Sequence, residues 1–168
     1  GPVCKLIRKS SICGTRFPSK TICEDYYFNY KLFSKIDNLY YLDKCYYHRT
    51  DSPGSLSKIG LSKRKFDEFY NVKAVYDFVL NDYSQYRQFA EVHLAGSCLK
   101  LLFMIFENNA EDEYQEETKD LLACLHDNYW SFIKNSNIPL KERVLLSFCF
   151  SRSFAKLSER IYHCLVHN

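Results

Sequence analysis

Two neighbouring carboxylates, Glu24 and Asp25, open a stretch in which Tyr27, Phe28, Leu32 and Phe33 recur near helical spacing. A carboxylate poised beside a hydroxyl can take its proton as the oxygen attacks, which is general-base chemistry. The amino end of a helix also favours negative charge through its dipole, so the same pair is equally an ordinary helix opening. Further along, His48 and Arg49 stand side by side. A neutral imidazole can complete the coordination of a divalent metal, and a guanidinium can neutralise phosphate oxygens. A histidine that merely closes an extended segment is the competing reading for His48. Ser55 ends the run Asp51-Ser52-Pro53-Gly54-Ser55, where it is a phosphate contact or, on turn chemistry alone, a turn residue.

The other reactive residue types fall into no comparable pattern. His93 and His126 sit in apolar-periodic stretches, and His163 and His167, four apart near the end, lack the neighbouring carboxylate of a metalloprotease order. The 8 cysteines include no Cys-x-x-Cys pair. They read as free thiols of a reducing cytoplasm, several of them packed as small hydrophobes, such as Cys98 before Leu99 and Cys149 between Phe148 and Phe150. The formal charge of +3 is small and the basic residues are scattered along the chain, which points away from a nucleic-acid partner. A weak attraction to an anionic membrane surface is compatible with this charge.

The elements that must position these residues come in two kinds. Before the turn-rich stretch, residues 3–8 alternate like a short strand, 14–20 read as a loop around Pro18, and 24–36 as a helix. Residues 39–42 and 45–48 are aromatic-rich and β-prone. After it, Phe66, Phe69, Val72, Tyr76, Val79 and Tyr83 form an apolar stripe at three- and four-residue spacing. Residues 84–108 and about 111–134 read as further helices, the last opening on the acidic Glu111-Asp112-Glu113. Residues 135–139 break the chain, and 140–166 hold one or two more helices. The expected class is α+β, mainly α, with a first domain over 1–58 and a helical bundle over 59–168. With 46% hydrophobic and 26% charged residues the chain has an ordinary globular composition, and its apolar runs are expected to be too short to cross a bilayer.

Taken in order, Lys5-Leu6, Arg16-Phe17-Pro18, Ile22-Cys23-Glu24-Asp25-Tyr26-Tyr27-Phe28, Tyr41-Leu42-Asp43 and Tyr46-Tyr47-His48-Arg49 resemble the second half of a bacterial family 2 glycosyltransferase of GT-A fold. The likeness carries motifs over about residues 3–58 and only general helical character beyond. It implies an inverting sugar transfer in which Asp25 is the catalytic base and Glu24 orients the loop or binds the acceptor. His48, Arg49 and Ser55 would then lie near the diphosphate or its metal, although many relatives carry a tyrosine at the position of His48. The implied partners are a nucleotide-sugar donor and a glycan or lipid-linked acceptor, as in cell-surface polysaccharide synthesis, with Mg or Mn as the cofactor of the intact enzyme. A homodimer and a place at the cytoplasmic face of the membrane are further expectations of the resemblance. The Asp-x-Asp motif and nucleotide-binding sheet of such an enzyme are missing from these residues. The chain is therefore expected to be its acceptor-side, carboxy-terminal portion, inactive and metal-free alone. The alternative is a non-catalytic helical interaction module.

Overall fold

The computed structural model describes residues 4–12, 14–19, 21–48, 50 and 60–149. They are mainly helical: α1 is Glu24–Phe33, α2 Asp67–Asp82, α3 Arg87–Glu107, α4 Gln115–Asp127, α5 Tyr129–Lys134 and α6 Leu140–Leu146. Short 3-10 turns at Lys9–Ile12, Lys63–Phe66 and Ser84–Tyr86 lead into or connect them. By contact the chain divides into two compact units, Gly1–Val75 and Tyr76–Asn168, a division that falls within α2. The boundary expected from the sequence, at residues 58 and 59, lies outside the described residues.

In the first unit α1 buries Phe28 and Leu32, one turn apart, and α2 contributes Phe69, Val72 and Val75. This is the stripe that the spacing of apolar residues predicts. The short strands expected at 3–8, 39–42 and 45–48 are not seen, and no strand occurs among the described residues. The correction has a simple physical cause. β-propensity measures how well a side chain fits a pleated, half-buried surface, and a strand also needs a neighbour to take its backbone hydrogen bonds. Residues 39–48 have neither: Tyr40 is 87% exposed and Tyr41 84%. The segment is irregular, and its aromatic side chains stand in solvent.

The second unit is built around α3. Leu94, Ala95, Cys98, Leu101, Leu102 and Ile105 are wholly enclosed, and α4 and α5 both pack on this helix while α6 packs on α5. Residues Ser84–Glu107 are long and apolar enough to span a membrane by length and composition, with 67% of their most apolar window buried inside the protein. Such burial is what a central core helix shows. The helix expected over 111–134 is two helices. At Asn128 the side-chain amide donates to the Cys124 carbonyl at 2.9 Å while its Oδ1 accepts from the Tyr76 hydroxyl at 2.8 Å. A side chain that bonds the backbone four residues earlier competes with the helical ladder, and here it separates α4 from α5. The expected break at 135–139 is present: Asn135 leaves the helix at ψ 106° and its Oδ1 takes the Asn137 N–H at 2.9 Å. Pro139 then precedes α6 and accepts from Glu142 N–H at 2.9 Å.

Candidate functional site

Glu24 and Asp25 form the first turn of α1, as their spacing to the apolar residues implies. The residue before them, Cys23, has φ 57°, the left-handed region that non-glycine residues seldom occupy, and no side chain caps the helix. Acidic residues in the first turn compensate through the helix dipole. The backbone just upstream is held from α2. Ile22 N–H donates to Asp67 Oδ2 at 3.2 Å, and Asn71 Nδ2 donates to the Ile22 carbonyl at 2.8 Å and to Thr21 Oγ1 at 3.3 Å. Asp67 and Asn71 are one helical turn apart, so together they hold the backbone on both sides of Ile22 and fix the direction in which the chain enters α1.

Asp25 is partly exposed. One turn further on, Asn29 presents an enclosed Oδ1 with no hydrogen-bond partner among the described residues. Tyr26 and Tyr30 pack with ring centroids 5.1 Å apart, and burial, followed by the neighbouring Tyr30, raises the Tyr26 phenol well above its ordinary range. The rings of Phe17 and Phe28 stack with centroids 3.9 Å apart, tying the 14–19 loop to the helix. The loop expected around Pro18 is thus an ordered flank of α1.

The remaining expected site residues are not brought to this turn by any observed contact. His48 is exposed in the irregular 39–48 segment, and Arg49 and Ser55 lie outside the described residues. Among the described residues no group of three or more His, Cys, Asp or Glu side chains is placed to hold a metal ion. Glu24 and Asp25 line neither of two concavities among the described residues of the second unit, one along α4 around Thr118, Leu122 and His126, the other between Lys100, Met104 and Glu142.

One constellation in the second unit escaped the reading of the sequence. Glu91 is 2% exposed on α3, and its carboxylate accepts from Arg87 Nε at 2.7 Å, from Ser131 Oγ and from Asn135 Nδ2 at 2.9 Å. Arg87 Nη2 also donates to Ser131 Oγ at 2.9 Å, and Asn135 Nδ2 to the Gln88 carbonyl at 2.7 Å. The hydrogen bond to Glu91 raises the Arg87 guanidinium above its already high range, against the opposing effect of burial. The signal in the sequence was faint: Arg87 and Glu91 are four apart on one face of α3, and Ser131 on α5 stands four before Asn135, which closes that helix. Every carboxylate oxygen here has a donor, so the arrangement joins α3 to α5 and leaves no group poised for chemistry.

No family model matches the chain, and no curated protein or solved structure matches it.

Proposed function

We propose that this chain is the acceptor side and carboxy-terminal helical part of an inverting glycosyltransferase that moves a sugar from a nucleotide-sugar donor to a glycan or lipid-linked acceptor. The observation that carries the reading is a partly exposed Asp25 at the start of α1, shortly after Ile22, whose N–H and carbonyl are held by Asp67 and Asn71. General-base catalysis needs a carboxylate that an incoming hydroxyl can reach and a backbone that holds it still. In this reading Asp25 takes the proton of the acceptor hydroxyl as its oxygen attacks the sugar carbon opposite the departing nucleotide diphosphate. Glu24 orients the acceptor beside it. The donor, and the Mg or Mn that accompanies its diphosphate, belong to sequence upstream of residue 1, where an apolar strand ending in Asp-x-Asp is the feature to look for.

The test joins this chain to that upstream sequence and screens nucleotide sugars for transfer. Asp25→Asn keeps the shape of the side chain and removes its basicity, so it should lower turnover by about 10²–10⁴-fold while donor affinity stays within about twofold. Equal turnover of variant and parent would remove Asp25 from the reaction.

A non-catalytic interaction module is the second reading. Its support is the exposed apolar run Leu39, Tyr40, Tyr41, Leu42, Tyr46 and Tyr47, a density of solvent-facing apolar side chains that binding surfaces share. The absence of Asp-x-Asp and of a strand–helix series upstream would favour it.

A further inference from the structure

Charge is unevenly shared between the two units. Residues 1–75 hold 14 Lys and Arg against 7 Asp and Glu, and the excess is steepest at the beginning, where Lys5, Arg8, Lys9, Arg16 and Lys20 precede the first acid, Glu24. The fold concentrates this further. Lys5 Nζ lies 5.8 Å over the Phe33 ring at the carboxy end of α1, and Lys35 Nζ donates to Thr15 Oγ1 at 3.0 Å, beside Arg16. Lys5 and Thr15 of the basic segment thus meet the end of α1 that carries Lys31 and is followed by Lys35, where the helix dipole also favours cations. Asp37 is the acid nearest in sequence to that end. Within this basic segment Leu6 is 104% exposed, and Phe33, whose ring lies under Lys5, is 40% exposed.

An aliphatic side chain held wholly in water in a segment rich in cations has two complementary partners in one surface, acyl chains for the leucine and anionic headgroups for the bases. We propose that the first unit docks on an anionic phospholipid bilayer, with Leu6 inserted and Lys5, Arg8, Lys9, Arg16 and Lys35 facing the headgroups. Single-stranded nucleic acid is the other polymer that pairs basic charge with exposed rings, but it stacks bases on π faces. The most exposed side chain here is a leucine, which has no such face, and the exposed Leu39 and Leu42 repeat the same chemistry. Tyr40, Tyr41, Tyr46 and Tyr47 are of the type that settles at the headgroup level. This docking is independent of the proposed sugar transfer.

The experiment is co-sedimentation of the full chain with phosphatidylcholine vesicles, with and without about 30% phosphatidylserine. Binding should require phosphatidylserine and weaken as salt rises from about 0.1 M to 0.5 M. At about fivefold per basic residue, Lys5→Gln, Arg8→Gln and Lys9→Gln together should weaken it roughly a hundredfold, and Leu6→Asn about tenfold. Leu6 is fully exposed, so its replacement should leave the circular dichroism spectrum unchanged, which separates lost docking from lost folding. No sedimentation with either vesicle, or binding indifferent to both sets of variants, would overturn the proposal. So would tight binding to a single-stranded RNA oligonucleotide, or self-association abolished by Leu6→Asn, in the absence of vesicle binding.

Discussion

Replacing Glu91 by alanine tests the polar clamp between α3 and α5. The carboxylate is 2% exposed and receives hydrogen bonds from Arg87, Ser131 and Asn135. Its loss does not strand all three donors equally. Arg87 has 46% of its side chain exposed, so its guanidinium returns to water at small cost. Asn135, 4% exposed, keeps its bond to the Gln88 carbonyl at 2.7 Å and loses only the one to the carboxylate. One hydrogen bond to a charged acceptor contributes about 1.5–3 kcal/mol, and a buried donor left unmet costs about 1–3 kcal/mol. Because these terms overlap, about 3 kcal/mol is expected in all, at the low end of what breaking a buried ion pair costs because one partner is already wet.

Urea unfolding followed by the emission of Trp130, the single tryptophan, reports the right region, since it lies on α5 beside Ser131. Thermal unfolding should show a drop of roughly 6–12 °C. Arg87→Ala, which leaves the buried Glu91 carboxylate without its cation, should cost as much as Glu91→Ala, roughly 3 kcal/mol. The pairing of Glu91 with Asn135 should appear as at least about 1 kcal/mol of coupling in a double-mutant cycle. A Glu91→Ala loss below about 1 kcal/mol, or additive single and double variants, would show that α5 is held by its apolar face alone and that the network is incidental.

Two further outcomes follow from the geometry. Asn71→Ala removes the clamp on the Ile22 carbonyl, worth about 1 kcal/mol, so amide exchange at residues 22–25 should quicken about fivefold while the α3 core keeps its protection; unchanged exchange there would mean that Asp67 alone fixes the turn. Burial raises the Glu142 carboxyl above its ordinary value, partly countered by Lys141, so the folded state resists the ionised form. The unfolded chain ionises first as pH rises, and stability is lost across the carboxylate range up to the raised folded value. Glu142→Gln should therefore be more stable than the parent near neutrality, by less than about 0.5 kcal/mol for this partly solvated group, and equal to it below about pH 3. A constant difference across pH in paired denaturation curves would contradict the assignment.

What the sequence made legible was decided by range. The stripe from Phe69 to Val79 and the run from Leu94 to Ile105 announce α2 and α3 because a helix makes its own hydrogen bonds within a few residues. The placement of Glu24 and Asp25 at a helix start was read for the same reason. Their support was not, because Asp67 and Asn71 reach Ile22 across 45 and 49 positions of chain and nothing local marks either as a partner. Glu91 and Asn135, 44 apart, are hidden in the same way. The division of residues 111–134 into two helices depends on the Tyr76 hydroxyl, 52 positions from Asn128. A residue type suited to a cap becomes one only when tertiary structure supplies its second bond.

Residues 39–48 show the converse. Their composition is that of strands, yet a strand exists only with a neighbour, and among the described residues none pairs with them. Leaving Leu39, Tyr40, Tyr41 and Leu42 between 70% and 87% exposed forgoes burial worth about 1.5–3 kcal/mol for each large side chain. That burial is then available to whatever the first unit meets, whether the upstream half of an enzyme or a lipid surface. The two occupants demand different things of the same residues. A sheet partner would use the backbone and tolerate exchange of one aromatic for another, whereas a bilayer would use side-chain area and the surrounding basic charge while ignoring backbone register. The salt dependence and the leucine sensitivity of docking consequently separate them even before any sugar donor is known.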